Sequence, residues 1–399
     1  MTIQQEQVRG LQPTVPVILS DTARSSGLRV RVLRDFTELR QLAPAWQALL
    51  ERSSANEPML SPTWLLEWWR VYGQRCQLAV GAIYDGAQLV GLAPLLWRRF
   101  WYRPGIPFRR LEFLGADVDE QDGVCSDYLS IIAERGHEER VANALVAAIT
   151  RREFGLWDEV SLAALAGDNP MTDLLEAAFR EAGFLVSRQT STLSPYIALP
   201  SSWDDYLKAL PKKHRYGVLR SQRDMDDWAA GGAVFHYASS PAELVKGQSI
   251  LAALHAERWQ AAGQGGAFSG QRFASFHNAV MPQLHAQHAL ELMWLTVRGV
   301  PVAAMYNIVW NNKTYFYQSG RKMDLPRHLR PGIVVIAYGI QRAIAAGRRE
   351  FDFLADNTQY KKQLTITTRP VLRLRVARRT PLECGQRVAD QALCGLRWL

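Results

Sequence analysis

A Pro-Gly pair precedes an apolar helical pattern late in the chain, and two arginines come shortly before it. The segment contains Arg327, Arg330, Pro331 and Gly332, and Ile333 opens the apolar side of the helix. The first turn of a helix offers unpaired N–H groups and a partial positive charge, so it can hold a phosphate without a dedicated side chain. Glycine permits close approach, and guanidinium groups add charge-assisted hydrogen bonds. The pattern predicts a diphosphate site; the alternative is a plain Pro-Gly loop before a buried helix.

Acids and a Tyr-Lys pair accompany the next predicted strand, which reads REFDFLA. Asp352 lies inside this strand and is either a proton acceptor or a buried, hydrogen-bonded structural acid. Asp356 follows the end of the strand, where loops meet ligands, and is the favoured general base. Tyr360 and Lys361 come next; the lysine either stabilises a negative oxygen or a substrate phosphate, or is a solvated surface residue.

Three further side chains recur on neighbouring turns of one predicted helix: His255, Arg258 and Trp259. An indole beside a guanidinium and an imidazole suits the face of a sugar or a nucleotide. His255 and the adjacent Glu257 are also candidate bases. The alternative is a core tryptophan surrounded by polar groups.

Several other kinds of chemistry lack support in the sequence. There is no G-x-S-x-G elbow and no convincing Cys/His pair, so we expect no covalent nucleophile. Four scattered cysteines without zinc-finger spacing predict reduced thiols and no metal site. The apolar runs are shorter than the roughly 20 residues of a membrane span. With an N-terminus unlike a signal peptide, this predicts a cytoplasmic protein.

The formal net charge of +9 is concentrated in three basic clusters, at 97–110, 208–223 and 369–379. Such clusters attract phosphates, nucleotides, anionic lipid or RNA before any specific contact forms. The alternative is a solvated surface without a partner.

The elements that must position these residues occur in two similar sets. Each set reads helix, helix, strand hairpin, strand, helix, strand, and the hairpins turn at Asp85-Gly86 and at Arg298-Gly299. Ser61 before Pro62 predicts a helix start, and SDYLSIIA predicts a strand. The predicted division is a flexible lead-in (1–27), a first half (28–200), a second half with the site (201–379) and a tail (380–399).

Four segments of the chain resemble the CelD-like acetyltransferases, relatives of the FemAB enzymes that contain two GNAT folds in one chain. The segments are FLGADVDEQDGVCSDYLSII, LHAERW, GAFSGQRFASFH and RPGIVVIAYGIQRAIAAGRREFDFLADNTQYKKQL. The resemblance implies two tandem GNAT-like units, an α/β fold with a mixed sheet. It also implies transfer of an acyl group from acetyl-CoA or another acyl-CoA to an amine or hydroxyl, often of a sugar or envelope/exopolysaccharide intermediate.

The resemblance also implies roles for individual residues. In such folds the strand TYFYQSG splays beside the donor, which assigns Gln318 to donor binding together with Arg327, Arg330, Pro331, Gly332 and Ile333. Tyr317 is expected to line the acyl site and protonate the departing thiolate, or else to pack in the core. Asp356, Tyr317 and Lys361 are thus the catalytic candidates. His255, Arg258, Trp259 and Tyr360 are the candidates for binding the acceptor.

The first half is predicted to be a degenerate copy that helps to bind the acceptor. Its RGHEERV segment places acids where a diphosphate would bind, and Trp97 and Trp101 with their arginines suit an acceptor. One alternative is a FemAB-like aminoacyl transferase that uses charged tRNA through Lys212 and Arg215, although nucleic acid is not the favoured partner. Another is a non-catalytic partner of a polysaccharide synthase. Such a partner, or an enzyme peripheral to the inner face of the membrane, would contact anionic lipid or glycan through a basic face.

Overall fold

The computed structural model describes residues 27–102, 107–117, 122–356 and 358–386 of the 399-residue chain. The predicted lead-in, apart from Gly27, and the end of the predicted tail lie outside these residues. In the first half the elements are β1 (Arg29–Leu33), α1 (Phe36–Gln41), α2 (Ala43–Glu51), α3 (Pro62–Tyr72), β2 (Gln77–Leu78), β3 (Val80–Asp85), β4 (Gln88–Ala93), β5 (Leu95–Trp101), β6 (Pro107–Phe113), β7 (Ile132–Ala133), α4 (Glu138–Thr150), β8 (Glu159–Ala166), α5 (Pro170–Glu181) and β9 (Leu185–Ala198). In the second half they are α6 (Trp203–Ala209), α7 (Lys212–Ala229), β10 (Ala233–Tyr237), α8 (Pro241–Gln260), α9 (Gln271–Ala286), β11 (Leu290–Val297), β12 (Val300–Trp310), β13 (Lys313–Arg321), α10 (Pro331–Ala345), β14 (Glu350–Asp352) and β15 (Thr368–Ala377).

Local sequence signals set the predicted helix starts and hairpins. Ser61 accepts a hydrogen bond from the Trp64 amide and caps α3, with Pro62 at the first helical position. Gly86 has a φ of 58° between β3 and β4, and Gly299 has a φ of 79° between β11 and β12. Both turns need positive φ, which glycine adopts without steric cost. The prediction of two paired hairpins is confirmed.

The prediction of a strand at SDYLSIIA is mostly wrong, because only Ile132–Ala133 form β7. The preceding residues leave the sheet and pack against the second half. Cys125 and Tyr128 have φ values of 48° and 58°, which no regular strand contains. The leading strands β1 and β10 were not predicted at all.

The two halves exchange strands within one sheet. Eleven strands follow the order β10-β11-β12-β13-β14-β9-β15-β8-β6-β5-β2, and a second sheet has the order β1-β3-β4-β7. The last strand, β15, pairs with β9 on one side and β8 on the other, both from the first half. In turn, β9 pairs with β14 of the second half. The mixed α/β prediction is confirmed, and the division at residue 200 stays a prediction.

The sheet opens beside β13. This strand pairs with β12 along its length, with a bulge in which Tyr317 is the extra residue between the pairs Phe316–Asn307 and Gln318–Tyr306. On its other side β13 pairs with β14 only from Lys313 to Tyr315. The remainder of β13 therefore has no partner in β14, which leaves a gap between the two strands.

Buried aromatic side chains join the two halves next to this gap. The ring of Trp64 lies 4.8 Å from that of Phe276 and 5.5 Å from that of Tyr317, both in edge-to-face geometry. These residues belong to one hydrophobic core that includes α3, α9 and β13. Within the described residues, no helix is long and apolar enough to cross a membrane.

Candidate active site

A groove begins where β13 and β14 separate and runs to the start of α10. Its volume is about 340 Å³. The end of β13 forms one wall, α10 contributes its first turn, and α8 and the segment after β14 complete the lining. The lining includes Arg258, Ser319, Gly320, Arg321, Arg327, Arg330, Gly332, Ile333, Tyr360 and Gln363.

The first turn of α10 opens into this groove at Gly332. Among the described side chains none caps the helix, and Pro331 occupies its first turn. A Cβ built on Gly332 would meet only the Arg321 side chain, at 3.5 Å. Pro331 is buried, whereas Gly332 and Ile333 line the groove. The helix end thus presents backbone to open space, as a bound anion requires.

Four arginines surround the same space: Arg258, Arg321, Arg327 and Arg330. Across the described part of the chain, none of them forms an ion pair with an acid; Arg330 donates to the Gln363 amide oxygen at 3.1 Å. Burial, and then the charge of Arg258, lowers the pKa of Arg321. Positive charge without a protein counterion favours the approach of an anion to this groove.

The three residues predicted on one helix face occupy two different environments on α8. Arg258 lines the groove near the Tyr360 ring, 5.9 Å from its centroid. His255 lies behind the groove, buried, and accepts a hydrogen bond from the Trp259 indole at 3.0 Å. Burial and the charge of Arg258 lower the pKa of His255 to about 4, so the ring is neutral at pH 7.

The contact between α8 and β13 is unusually close and fixes this side of the groove. A Cβ on Gly320 would come within 2.4 Å of the His255 backbone nitrogen and 2.6 Å of the Leu254 carbonyl carbon. Only glycine fits there, because the helix backbone passes directly over the strand. Gln318, the predicted donor contact, lies on the same strand next to the bulge, half-buried.

Tyr317 does not reach the groove, contrary to its predicted place at the acyl site. The side chain is buried in the aromatic boundary between the halves, where the hydroxyl donates to the Val124 carbonyl and lies 3.1 Å from His277 Nε2. Burial raises the pKa of Tyr317 well above its usual value. The bulge turns this side chain toward the first half, which the sequence alone did not indicate.

Lys361 is buried, not solvated, and its ammonium group holds the loop that follows β14. The Nζ atom donates to the carbonyls of Phe353 and Ala355, at 2.8 Å each. Burial lowers the pKa of Lys361. The lysine therefore shapes the loop that carries Asp356, an exposed residue with a φ of 80°.

Asp352 is the buried, hydrogen-bonded acid that the sequence offered as one alternative. Its carboxylate accepts hydrogen bonds from the Tyr128 hydroxyl at 2.8 Å and from the Leu354 amide at 2.7 Å. Arg369 lies 3.7 Å away. Each partner is buried or nearly so, which places Asp352 inside the protein and away from any ligand.

The first half also holds this loop in place, which the sequence did not indicate. Asp127 accepts a hydrogen bond from the Ala355 amide at 2.7 Å, and Asp122 accepts from the first amides of α9. Burial raises the pKa of Asp127 to about 6. The available signal was a cluster of acids in FLGADVDEQDGVCSDYLSII without a basic partner nearby in sequence.

Two of the three basic clusters are largely neutralised inside the protein. Arg98 pairs with Glu112, and Arg110 pairs with Glu159 at 2.6 Å. Arg369 pairs with Glu350, and Arg375 with Glu383, at 2.7 and 2.6 Å. Arg98 and Arg110 are thus already compensated, and they add little net charge to a basic face at 97–110.

Comparisons with known proteins agree with this architecture. Residues 212–362 match a family model described as an acetyltransferase (GNAT) domain. A search of curated proteins gave no match. Residues 212–362 are therefore a GNAT-type acyltransferase domain.

Solved structures show the same fold along nearly the whole chain. FemX superposes with a TM-score of 0.58 at 11% identity, covering 89% of this chain and 98% of FemX. A conserved protein of unknown function from Bacteroides thetaiotaomicron gives 0.52 at 12% identity, with 88% and 100% covered. L-PGS from Bacillus licheniformis gives 0.50 at 11% identity, with 87% and 96% covered. At these identities the likeness concerns the fold.

Proposed function

We propose that the protein transfers an acetyl or longer acyl group from acyl-CoA to an amine or hydroxyl in the cytoplasm. One observation carries the proposal: the N-terminus of α10 opens at Gly332 into a groove with four arginines that have no acidic partner in the described chain. This groove lies at the gap between β13 and β14. It offers positive charge for phosphates and a free strand edge for an extended arm.

The residues present fit the chemistry of such a donor. The Gly332 amide with Arg321, Arg327 and Arg330 would hold the phosphates through charge-assisted hydrogen bonds, since the next two amides of α10 already donate to the Arg330 carbonyl. Gly320 and its neighbours in β13 would bind the amide groups of the pantetheine arm through main-chain hydrogen bonds. Acyl-CoA supplies an activated thioester, so the protein needs to orient the acceptor rather than form a covalent intermediate.

In this proposal a residue of the loop after β14 accepts the proton of the acceptor group. Asp356 is exposed in this loop, four residues before Tyr360 of the groove lining, and is the proposed proton acceptor for the attacking amine or hydroxyl. Lys361 holds the carbonyls of that loop and so positions Asp356. Tyr317, with its hydroxyl engaged by Val124 and His277, is assigned a packing role, and CoA leaves as a thiolate that takes its proton from solvent.

The acceptor in this proposal is a sugar or an envelope/exopolysaccharide intermediate. The resemblance to CelD-like acetyltransferases supports this class. So does a second cleft of about 700 Å³, lined by Trp97, Trp101, Arg75, Arg99 and Arg272. Indole rings stack on sugar faces, and arginines bind anionic substituents. This cleft includes residues of both halves.

Titration calorimetry with CoA and acetyl-CoA tests the donor site. We expect the wild-type protein to bind both, and Gly332→Trp to abolish binding because the indole fills the groove. Gly332→Ala is the matched control, since its methyl group meets only the Arg321 side chain at 3.5 Å. No heat with any CoA ester, or unchanged binding by Gly332→Trp, would overturn the proposal.

A further inference from the structure

The remaining basic cluster, at 208–223, lies mostly on α7. It differs from the other two because its side chains face outward. From Lys212 to Arg223 this helix contains five basic residues, Lys212, Lys213, Arg215, Arg220 and Arg223, and no acid. Within the described chain, only Arg220 forms an ion pair, with Asp224 at 3.2 Å. The remaining charges are uncompensated.

Two apolar side chains stand among these charges. Tyr216 is 58% exposed and Leu219 is 43% exposed. Residues 212, 216, 219 and 223 recur at helical spacing and share the outward side, whereas Val218 and Met225 are buried on the opposite side. We call the surface of Lys212, Lys213, Tyr216, Leu219 and Arg223 the α7 face.

The buried side of α7, opposite the α7 face, packs close to the groove. Val218, beneath the face, shares a buried cluster with Ile333 at the start of α10 and with Leu364. The helix also packs against α10 and against the short turn at Lys361–Gln363. A partner bound to the α7 face would therefore be separated from the elements of the proposed donor site by the diameter of one helix, about 10 Å.

We propose that the α7 face docks the protein on a bilayer surface rich in anionic phospholipid. Basic side chains provide charge complementarity to the headgroups, and exposed Tyr and Leu side chains gain by entering the interfacial region. RNA would also bind to the basic side chains, but an exposed leucine would contribute nothing to RNA binding because it has no base-stacking surface. Asp226 and Asp227, both exposed in the last turn, would be repelled by anionic headgroups, so the basic first part of the helix would lie nearer to the bilayer.

Vesicle flotation of the full-length protein tests this docking. We expect binding to vesicles of equal parts phosphatidylcholine and phosphatidylglycerol, and none to phosphatidylcholine alone. The triple variant Lys212→Glu, Lys213→Glu, Arg223→Glu should bind at least about tenfold more weakly. Tyr216→Ser with Leu219→Ser should also weaken binding, by about threefold or more, at unchanged charge.

A charge-matched control separates this face from net charge. The triple variant Arg40→Glu, Arg135→Glu, Lys246→Glu alters the same number of exposed basic residues elsewhere and should bind like the wild type. Circular dichroism and the melting temperature verify that all variants fold. Absence of flotation, or an equal loss in the control, overturns the proposal. A tRNA gel shift that depends on the basic residues but not on Tyr216 and Leu219, together with absent flotation, would assign the face to RNA instead.

Discussion

At the scale of single residues, burial decides what the charged side chains near the groove do. Lys361 and Lys362 are neighbours in sequence, yet one is buried and the other is exposed. Burial removes the hydrogen bonds that the Lys361 ammonium would make to water. Hydrogen bonds to the carbonyls of Phe353 and Ala355 replace them. Loss of such a hydrogen bond inside the protein lowers the free energy of unfolding, because no water takes the place of the missing donor.

We therefore expect Lys361→Met to destabilise the protein by about 1–3 kcal/mol, since two buried carbonyls lose their donor while the side-chain volume is retained. Urea unfolding measures the difference. Lys362→Met, at the exposed neighbour, should change the free energy of unfolding by no more than about 0.5 kcal/mol. Equal stability of Lys361→Met and the wild type would contradict the structural role.

The structure brings some of the predicted site residues together and separates others, for a physical reason. Arg327, Arg330 and Gly332 come together because they are close in sequence and adjoin one helix start. Tyr317 and Lys361 could not be placed, because the direction of each side chain depends on packing against residues far along the chain. A β-bulge and a buried loop decide these directions, and no local pattern encodes them.

At the scale of elements, the crossing of α8 over β13 sets the width of the groove. The helix supplies Arg258 and the strand supplies Arg321, and the two backbones meet at Gly320. Close approach of this kind depends on the missing side chain and not on any attraction between particular groups. A single added methyl group is thus sufficient to separate the two elements.

Gly320→Ala should destabilise the protein by about 1–3 kcal/mol, because its Cβ would lie 2.4 Å from the His255 nitrogen, and relief requires backbone movement. Gly217→Ala in α7 is the matched control. Its Cβ would meet nothing within 4 Å, and alanine favours a helix by about 0.5–1 kcal/mol. Thermal and urea unfolding of both variants provide the measurement. A Gly320→Ala protein as stable as the wild type would show that α8 is free to shift.

Helix starts and hairpins were predictable from sequence, whereas the exchange of strands was not. Ser61-Pro62 and Gly86 act through their own backbone conformation, so their signals are local. The position of β15 between β8 and β9 depends on pairing across about 200 residues. Its alternating apolar residues predicted a strand but not the neighbours of that strand.

At the scale of the whole molecule, the exchanged strands and a buried polar network make the two halves interdependent. Asp352 of β14 binds Tyr128 of the first half, and the Tyr128 hydroxyl lies 2.5 Å from Ser194 in β9. Arg369 opens β15 next to the same carboxylate. The network thus spans the place where the sheet passes from one half to the other.

This network predicts a pH dependence of stability with a definite sign. Burial raises the pKa of Asp352 from 3.8 to about 7, against the opposing charge of Arg369. Between these values the folded protein holds a proton that the unfolded chain has released. The contribution of Asp352 to the free energy of unfolding is therefore greatest below about pH 4, and it is lost as the pH rises through about 7.

Asp352→Asn isolates this contribution, because asparagine cannot titrate while other groups titrate in both proteins. The wild-type free energy of unfolding minus that of Asp352→Asn should fall as the pH rises from about 5 to about 7, by up to about 1.4 kcal/mol per pH unit. Urea unfolding at a series of pH values provides the curve. For Asp205→Asn the difference should instead stay flat from about pH 5 to about 7 and fall as the pH is lowered below about 4, since hydrogen bonds from Ser202 and Lys208 lower the pKa of Asp205. A flat difference for Asp352→Asn would mean that the carboxylate is ionised in the folded protein throughout this range, with Arg369 and not a proton as its compensating charge.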